Sequence, residues 1–229
     1  MGMASILTGA LDVGAMIRFM LSPDQIIAFL VAAVLLTATP GPDNLMVLGV
    51  GMSKGRGKGV AFGLGCAAGC LSHTLLAVLG VSALVAASPM AFTALKVVGG
   101  LYLVWLGIGA LRSKGGSSAA TQKDTESNAS SWRFFFKGMV ANAINPKVVL
   151  FFLSFLPQFV AADRGEVGLQ LALLGVLFTV QAAVLFGTLG WFSGTVGAWL
   201  GRRPRASLWL DRLAGVVFVG LGLRLVLSR

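Results

Sequence analysis

The chain has 229 residues, 56% of them hydrophobic and only 11% charged, with a mean hydropathy of +0.87. A soluble domain carries roughly 25% charged residues, so this chain has too little polar surface to cover a globule and must meet lipid. Its net charge of +10 would indicate nucleic acid in a soluble protein but basic loops in a membrane protein, and two cysteines with one histidine exclude a disulfide framework or a His/Cys-rich metal store.

Residues 1–24 form an N-terminal extension whose opening, "MGMASILTGALDVGAMIRFM", lacks the basic region and long apolar core of a secretory signal. It reads either as a short interfacial helix or as an artefact of start-site choice, since Met20 opens the first span cleanly. Six apolar stretches follow, at about 25–52, 60–87, 90–111, 134–160, 167–196 and 210–227. Each meets or exceeds the ~20 residues a helix needs to cross the hydrocarbon. A spanning strand needs only ~10 and alternates in polarity. The expected class is an all-α integral membrane protein with six transmembrane helices.

Basic residues between the stretches set the expected orientation. Lys54, Arg56 and Lys58 follow the first; Arg112, Lys114, Lys123, Arg133 and Lys137 follow the third; Arg202, Arg203, Arg205 and Arg212 follow the fifth. Arg18, Lys96, Arg164, Arg224 and Arg229 lie elsewhere, with Lys147 inside a stretch. The positive-inside rule makes the three basic loops cytoplasmic and places both termini outside, with Arg224 and Arg229 opposing that for the C-terminus. Residues 113–131, rich in Ser, Ala and Gly, read as a flexible cytoplasmic linker. It divides a first three-helix unit, 25–112, from a second, 132–229.

The two units resemble each other. "TPGPD" (39–43) breaks the first helix of one, and "INPK" (144–147) breaks the first helix of the other. Gly100 and Gly107 are spaced as Gly215 and Gly222 are. Three crossings per unit make the second enter from the opposite face, so the expectation is a 3+3 inverted repeat with Pro-broken helices 1 and 4.

At the first break Pro40 and Pro42 end one half-helix and start another, with Thr39 expected to cap. The new half-helix presents N–H groups and its positive dipole end to the interior. Asp43 lies in its first turn and is the only acidic residue well inside a predicted span. An intramembrane carboxylate is a functional candidate, against the alternative of a shallow helix cap. At the second break Asn145 caps, Pro146 starts the half-helix and Lys147 takes the place of Asp43, 104 residues on. Asp43 and Lys147 are expected to face each other, offering an acceptor to an ammonium and donors to a carboxylate; the alternative is a Lys147 that snorkels to an interface.

In the second stretch Cys66, Cys70 and His73 share a helix face. No convincing fourth ligand completes a metal site, and Gly65 with Gly69 indicates close helix packing. His73 is either a packed hydrogen bonder or a proton-coupling residue. Gln181 adds a polar group in the fifth stretch. Nothing supports an enzyme: there is no nucleotide-binding glycine motif and no second histidine for a Ser/His/Asp set.

"LLTATPGPDNLMVL", "GMSKGRGKGVAFGLG", "SHTLLAVLGVSALVAASPMAFTALKVVGGLYLVWLGIGAL" and "NPKVVLFFLSFLPQFV", in this order, resemble the lysine exporter (LysE) superfamily, most closely its homoserine/threonine resistance (RhtB) branch. The resemblance runs from about Asp24 to the C-terminus, without the 113–131 linker. It implies efflux of a small amino acid or derivative, of homoserine, threonine, branched or basic type, across the bacterial inner membrane. The proton gradient would be the energy source, with no cofactor. The resemblance carries over to Pro40, Gly41, Pro42 and Asp43, to His73, and to Asn145, Pro146 and Lys147; with the neighbouring Thr39 and Asn44 these breaks form the expected substrate-binding set, with Asp43 and His73 as proton-coupling candidates and no metal site. The branch accepts an amide at the Asp43 position, which favours substrate contact over an obligate proton carrier. The expected partners are the amino acid and the lipid bilayer, not nucleic acid, with a homodimer left open. A divalent-metal exporter of the same superfamily is the first rival, though His-, Asp- or Cys-rich loops are absent. A non-transporting membrane scaffold is the second; it gives no reason for paired breaks with opposite charges.

Overall fold

In the computed structural model the described residues are 20–81, 83–84, 88–113, 129–164, 166–202 and 204–227. Residues 1–19 of the N-terminal extension and 114–128 of the expected linker lie outside them. Every regular element among the described residues is helical.

The first apolar stretch is two helices, α1 (Pro23–Ala38) and α2 (Pro42–Lys54), bent by 55° at the break. A capping box opens α1: Ser22 Oγ accepts from the Gln25 N–H at 3.3 Å, and the Gln25 side chain accepts the Ser22 N–H at 3.1 Å. Gly55, at φ +94, turns the chain out of α2 and into α3 (Arg56–Leu76), a backbone angle that favours glycine. A π-helical turn, Ala77–Val81, extends α3. Ser88 Oγ caps α4 (Pro89–Leu111) by accepting the Ala91 N–H.

The fourth stretch repeats the bend. α5 (Ser131–Ala143) meets α6 (Pro146–Leu150), which runs on through a π-helical turn, Phe151–Phe155, and a 3-10 turn, Leu156–Phe159, at 53° to α5. After a second 3-10 turn, Ala162–Arg164, come α7 (Val167–Trp191), α8 (Ser193–Arg202) and α9 (Pro204–Leu227).

Among the described residues three helical segments are long and apolar enough to cross a membrane: α3 with its π turn, α4 and α7. The number rises to five if each bent pair is one span. The sixth predicted stretch falls in α9, which is not in that set. The expected fifth stretch, drawn to 196, ends at Trp191, where Phe192 leaves helical geometry at φ −92 and ψ 11. α8 then forms a separate short helix that hydrophobicity alone merges with its neighbours. The helix holding the sixth stretch starts at Pro204, because a proline at the first position lacks only an N–H that would be unpaired there anyway.

α3 packs between α5 and α7. A Cβ on Gly65 would lie 1.9 Å from the Phe135 carbonyl oxygen, and one on Gly138 2.1 Å from that of Phe62, so backbones touch where α3 crosses α5. On the other side Gly59 abuts Gly190 of α7. α4 lies antiparallel to α9: Gly100 faces the Gly222 carbonyl and Gly107 faces that of Gly215. Helices in lipid gain little from hydrophobicity against one another, so such close contacts are what associate them. Phe29, Phe151, Phe152, Phe155, Phe159 and Phe178 form a connected cluster of ring contacts around α6 and its continuation, holding the second break in place. Large apolar side chains such as Ile27, Leu79, Trp105 and Val184 cover the outside, as a lipid-facing surface requires.

Candidate functional site

Breaking a helix strands carbonyls whose partners would have been four residues on. At the first break two of these have a side-chain donor instead. The Thr37 carbonyl accepts from Asn44 Nδ2 at 2.9 Å, and the Thr39 carbonyl accepts from Lys147 Nζ at 3.2 Å. Thr39 does not cap α2 as expected. It ends α1, with its hydroxyl on the Leu35 carbonyl, because the extended Gly41 intervenes as the residue before α2. The α2 N-terminus therefore has no side-chain cap, and the Asp43 and Asn44 N–H groups of its first turn face the break.

The second break does cap itself. Asn145 Oδ1 accepts the Lys147 N–H at 3.1 Å. Pro146 has no N–H, which leaves room on the Asn142 carbonyl four residues earlier. That carbonyl accepts from the Asn145 N–H at 2.8 Å and lies 3.0 Å from His73 Nε2. A carbonyl only accepts, so Nε2 carries the ring proton. His73 Nδ1 is buried and makes no hydrogen bond among the described residues, as are Asn145 Nδ2 and Gln181 Oε1.

Asp43 and Lys147 are both buried, at 4% and 8% exposure. They line one cavity of about 10 Å3, room for roughly one water. No ion pair joins them. Asp43 Oδ2 accepts from Asn142 Nδ2 at 2.8 Å, while the Lys147 ammonium enters the first break, 5.3 Å from the centre of the Phe218 ring. Gly41 makes that entry possible, since a Cβ there would sit 3.1 Å from Nζ. Gln181 Nε2 donates to Thr37 Oγ1 at 2.9 Å at the same cavity wall. Leu36, Val148, Phe178 and Phe186 are its apolar lining.

The residues singled out in the sequence thus divide. Thr39, Gly41, Asp43, Asn44, Asn145 and Lys147 converge on the two breaks. Pro42 and Pro146 are exposed and act through the backbone they shape, and Pro40 is half-buried. His73 reaches Asp43 only through Asn142. Cys66 and Cys70 are buried thiols, with Cys70 Sγ 3.5 Å from Asn142 Oδ1 and 3.6 Å from the Cys66 carbonyl. Among the described residues no three His, Cys, Asp or Glu side chains gather as a metal site.

Asn142, 1% exposed, was not singled out by sequence reasoning, yet it touches Asp43, Cys70 and His73. Two asparagines three residues apart inside an apolar stretch are the signal that marks it. Asp211 is a second buried carboxylate, accepting from Ser113 Oγ at 2.7 Å and tying α9 to the end of α4. The early start of α9 brings it inside a helix, seven residues from the helix start.

Comparison with known proteins matches residues 34–229 to the family described as LysE type translocator. The threonine efflux protein of Escherichia coli strain K12 is 32% identical over 202 residues, covering 83% of this chain and 92% of its own. The leucine efflux protein of Klebsiella pneumoniae is 29% identical over 202 residues, 87% of this chain and 93% of its own. An uncharacterized membrane protein of Pseudomonas aeruginosa is 32% identical over 200 residues, 86% and 92% of the two chains. No solved structure matches. A multi-pass chain of apolar helices, two of them broken around buried opposite charges, that matches this family over most of its length belongs to the LysE-type translocators, among relatives of the threonine and leucine efflux kind.

Proposed function

We propose that the protein exports a small amino acid across the bacterial inner membrane, driven by the proton gradient, with the substrate held between the two helix breaks. One observation carries this reading. Asp43 and Lys147 line the same cavity without pairing, each held by a neighbour, so both charges are available to a zwitterion. The substrate ammonium meets Asp43. Its carboxylate meets Lys147 Nζ and the uncapped N–H groups at the start of α2, where the helix dipole favours an anion. Asn145 Nδ2, buried and without a hydrogen bond, supplies a further donor. The second half-helix offers fewer backbone donors, since Asn145 already caps it. Leu36, Val148, Phe178 and Phe186 fit an aliphatic side chain better than a charged one, which favours the threonine- and leucine-sized end of the range over basic amino acids.

The cavity as described holds about one water, so loading requires the two breaks to separate. Six crossings arranged as a 3+3 inverted repeat, units 25–112 and 132–229 joined by the 113–131 linker, give that motion as a rocking of one unit against the other. The basic loops would face the cytoplasm and the termini the outside. His73, with Nδ1 open among the described residues and Nε2 on the Asn142 carbonyl, is the proton-coupling candidate: a proton on Nδ1 places a charge against Asn142, the partner of Asp43.

The test is flux in proteoliposomes. Purified protein is reconstituted, and movement of radiolabelled threonine, leucine, homoserine and lysine is followed with and without an imposed pH gradient. The expected result is gradient-stimulated flux of a neutral amino acid that falls about tenfold or more in Asp43→Ala and Lys147→Ala proteins retaining their elution profile. Unchanged flux in both variants sinks the two-charge site; gradient-independent flux sinks the proton coupling alone.

A further inference from the structure

A larger hollow lies on the flank of the same helices. It measures about 580 Å3, within the roughly 300–1,000 Å3 of sites that hold small ligands, and is open to one side between α2, α3 and α5. Its two ends differ in chemistry. Met46, Val50, Val140 and Ala141 form an apolar trough, with Val140 and Met46 exposed. Arg133 and Lys137 stand at the other end beside Phe134 and Phe136. A third cation stands nearby, outside the lining: Lys58 Nζ lies 5.6 Å and Lys137 Nζ 5.7 Å from the centre of the same Phe134 ring.

The basic end has the residue pattern of a membrane interface. α2 runs toward Lys54 at its C-terminus and α3 begins at Arg56, so both helices end there with cations. Trp132, largely exposed, neighbours Arg133. On the other side of α3, Arg56 stacks on Trp191 at 4.4 Å. Exposed Trp beside Lys and Arg is the signature of an interfacial belt. From Arg133 to Ala141 the trough descends about 12 Å along α5, the depth of the outer part of an acyl chain.

We propose that this hollow is a binding site for an anionic phospholipid. The phosphate headgroup is clasped by Lys58, Arg133 and Lys137, and one acyl chain lies along Met46, Val50 and Val140. Basic pockets between spanning helices take such headgroups. A zwitterionic lipid offers the same chains but carries its own cation into a cluster of three. A water-soluble phosphate offers the same anion but nothing to lie in the trough. The occupied groove rests against α2 three residues past Asp43 and α5 one residue before Asn142, so the lipid holds together the helices that carry the site.

The test titrates detergent-purified protein with dioleoyl phosphatidylglycerol, dioleoyl phosphatidylcholine or glycerol phosphate, reading binding by native mass spectrometry and melting temperature. Phosphatidylglycerol is expected to bind as a discrete stoichiometric adduct and raise the melting temperature, phosphatidylcholine and glycerol phosphate to do neither. Arg133→Gln combined with Lys137→Gln should weaken phosphatidylglycerol binding about thirtyfold. Arg133→Gln combined with Lys137→Arg should lose less than the double glutamine variant, and Val140→Trp should block binding by filling the trough. Equal binding of both lipids, or an undiminished preference in the double variant, overturns the proposal. So does binding of glycerol phosphate alone. If Val140→Trp abolishes amino-acid flux while phosphatidylglycerol binding persists, the hollow is a substrate passage and the lipid assignment is wrong.

Discussion

The two helix breaks bend the chain by nearly the same angle, 55° and 53°, yet they deal with their loose backbone groups in opposite ways. The second is self-sufficient: Asn145 caps α6, and the Asn142 carbonyl is taken by Asn145 and His73. The first depends on the second. Its Thr39 carbonyl is held by Lys147, its Asp43 by Asn142, and the N-terminus of α2 has no side-chain cap. Two breaks built from the same proline chemistry therefore have unequal roles. The closed break supplies the side chains, and the open one receives them, with its donors left for something else.

Several substitutions would break or sharpen that contrast. Lys147→Met removes the cation that links the breaks, and loss of one charged contact at roughly 1.5–3 kcal/mol should lower flux about ten- to hundredfold. Asp43→Ala should cost as much, while Asp43→Asn, which keeps an acceptor for an ammonium, should cost less. If the amide variant is as dead as the alanine variant, the carboxylate is a proton carrier rather than a substrate contact. Asn142→Ala strands a buried carboxylate, so denaturation in detergent should show a loss of about 1–3 kcal/mol. A wild-type curve would mean that Asp43 finds another partner. Asn145→Ala deletes both a helix cap, worth about 1 kcal/mol, and the Nδ2 donor, so it should lower the melting temperature and the flux together. Flux that falls no further than stability explains would show that the side-chain amide does not touch substrate. Gly41→Ser is the mildest: it offers the open break a cap and crowds Nζ, and reduced substrate affinity with unchanged folding is the outcome that fits.

How much of this could be read in the sequence follows from which signals are local. Pro40, Pro42 and Pro146 announce both breaks because proline's missing N–H acts wherever it stands. Gly100, Gly107, Gly215 and Gly222 were visible as a matched spacing, and the structure sets them against one another across α4 and α9. Asn142 was not visible, because its importance comes from α2 and α3, which only folding brings beside it. The uncapped state of α2 was equally hidden: Thr39 is a good capping residue, and only the extended Gly41 decides that it ends one helix instead of starting the next. α8 escaped because its residues continue the hydrophobic profile of α7 until the arginines.

The π-helical turn Phe151–Phe155 has a mechanical consequence. A π turn spools one residue more than an α-helical turn would use, so it is a stored notch of slack just beyond Lys147. Releasing that notch into α-helical register turns the α6 end relative to Phe159 by about 100° and feeds it along by about 1.5 Å. The Phe178 ring, in contact with both Phe151 and Phe152, is the pawl that such a step must pass. The ammonium at the first break is thus mounted about one turn ahead of a winding that holds one residue more than an α-helical turn.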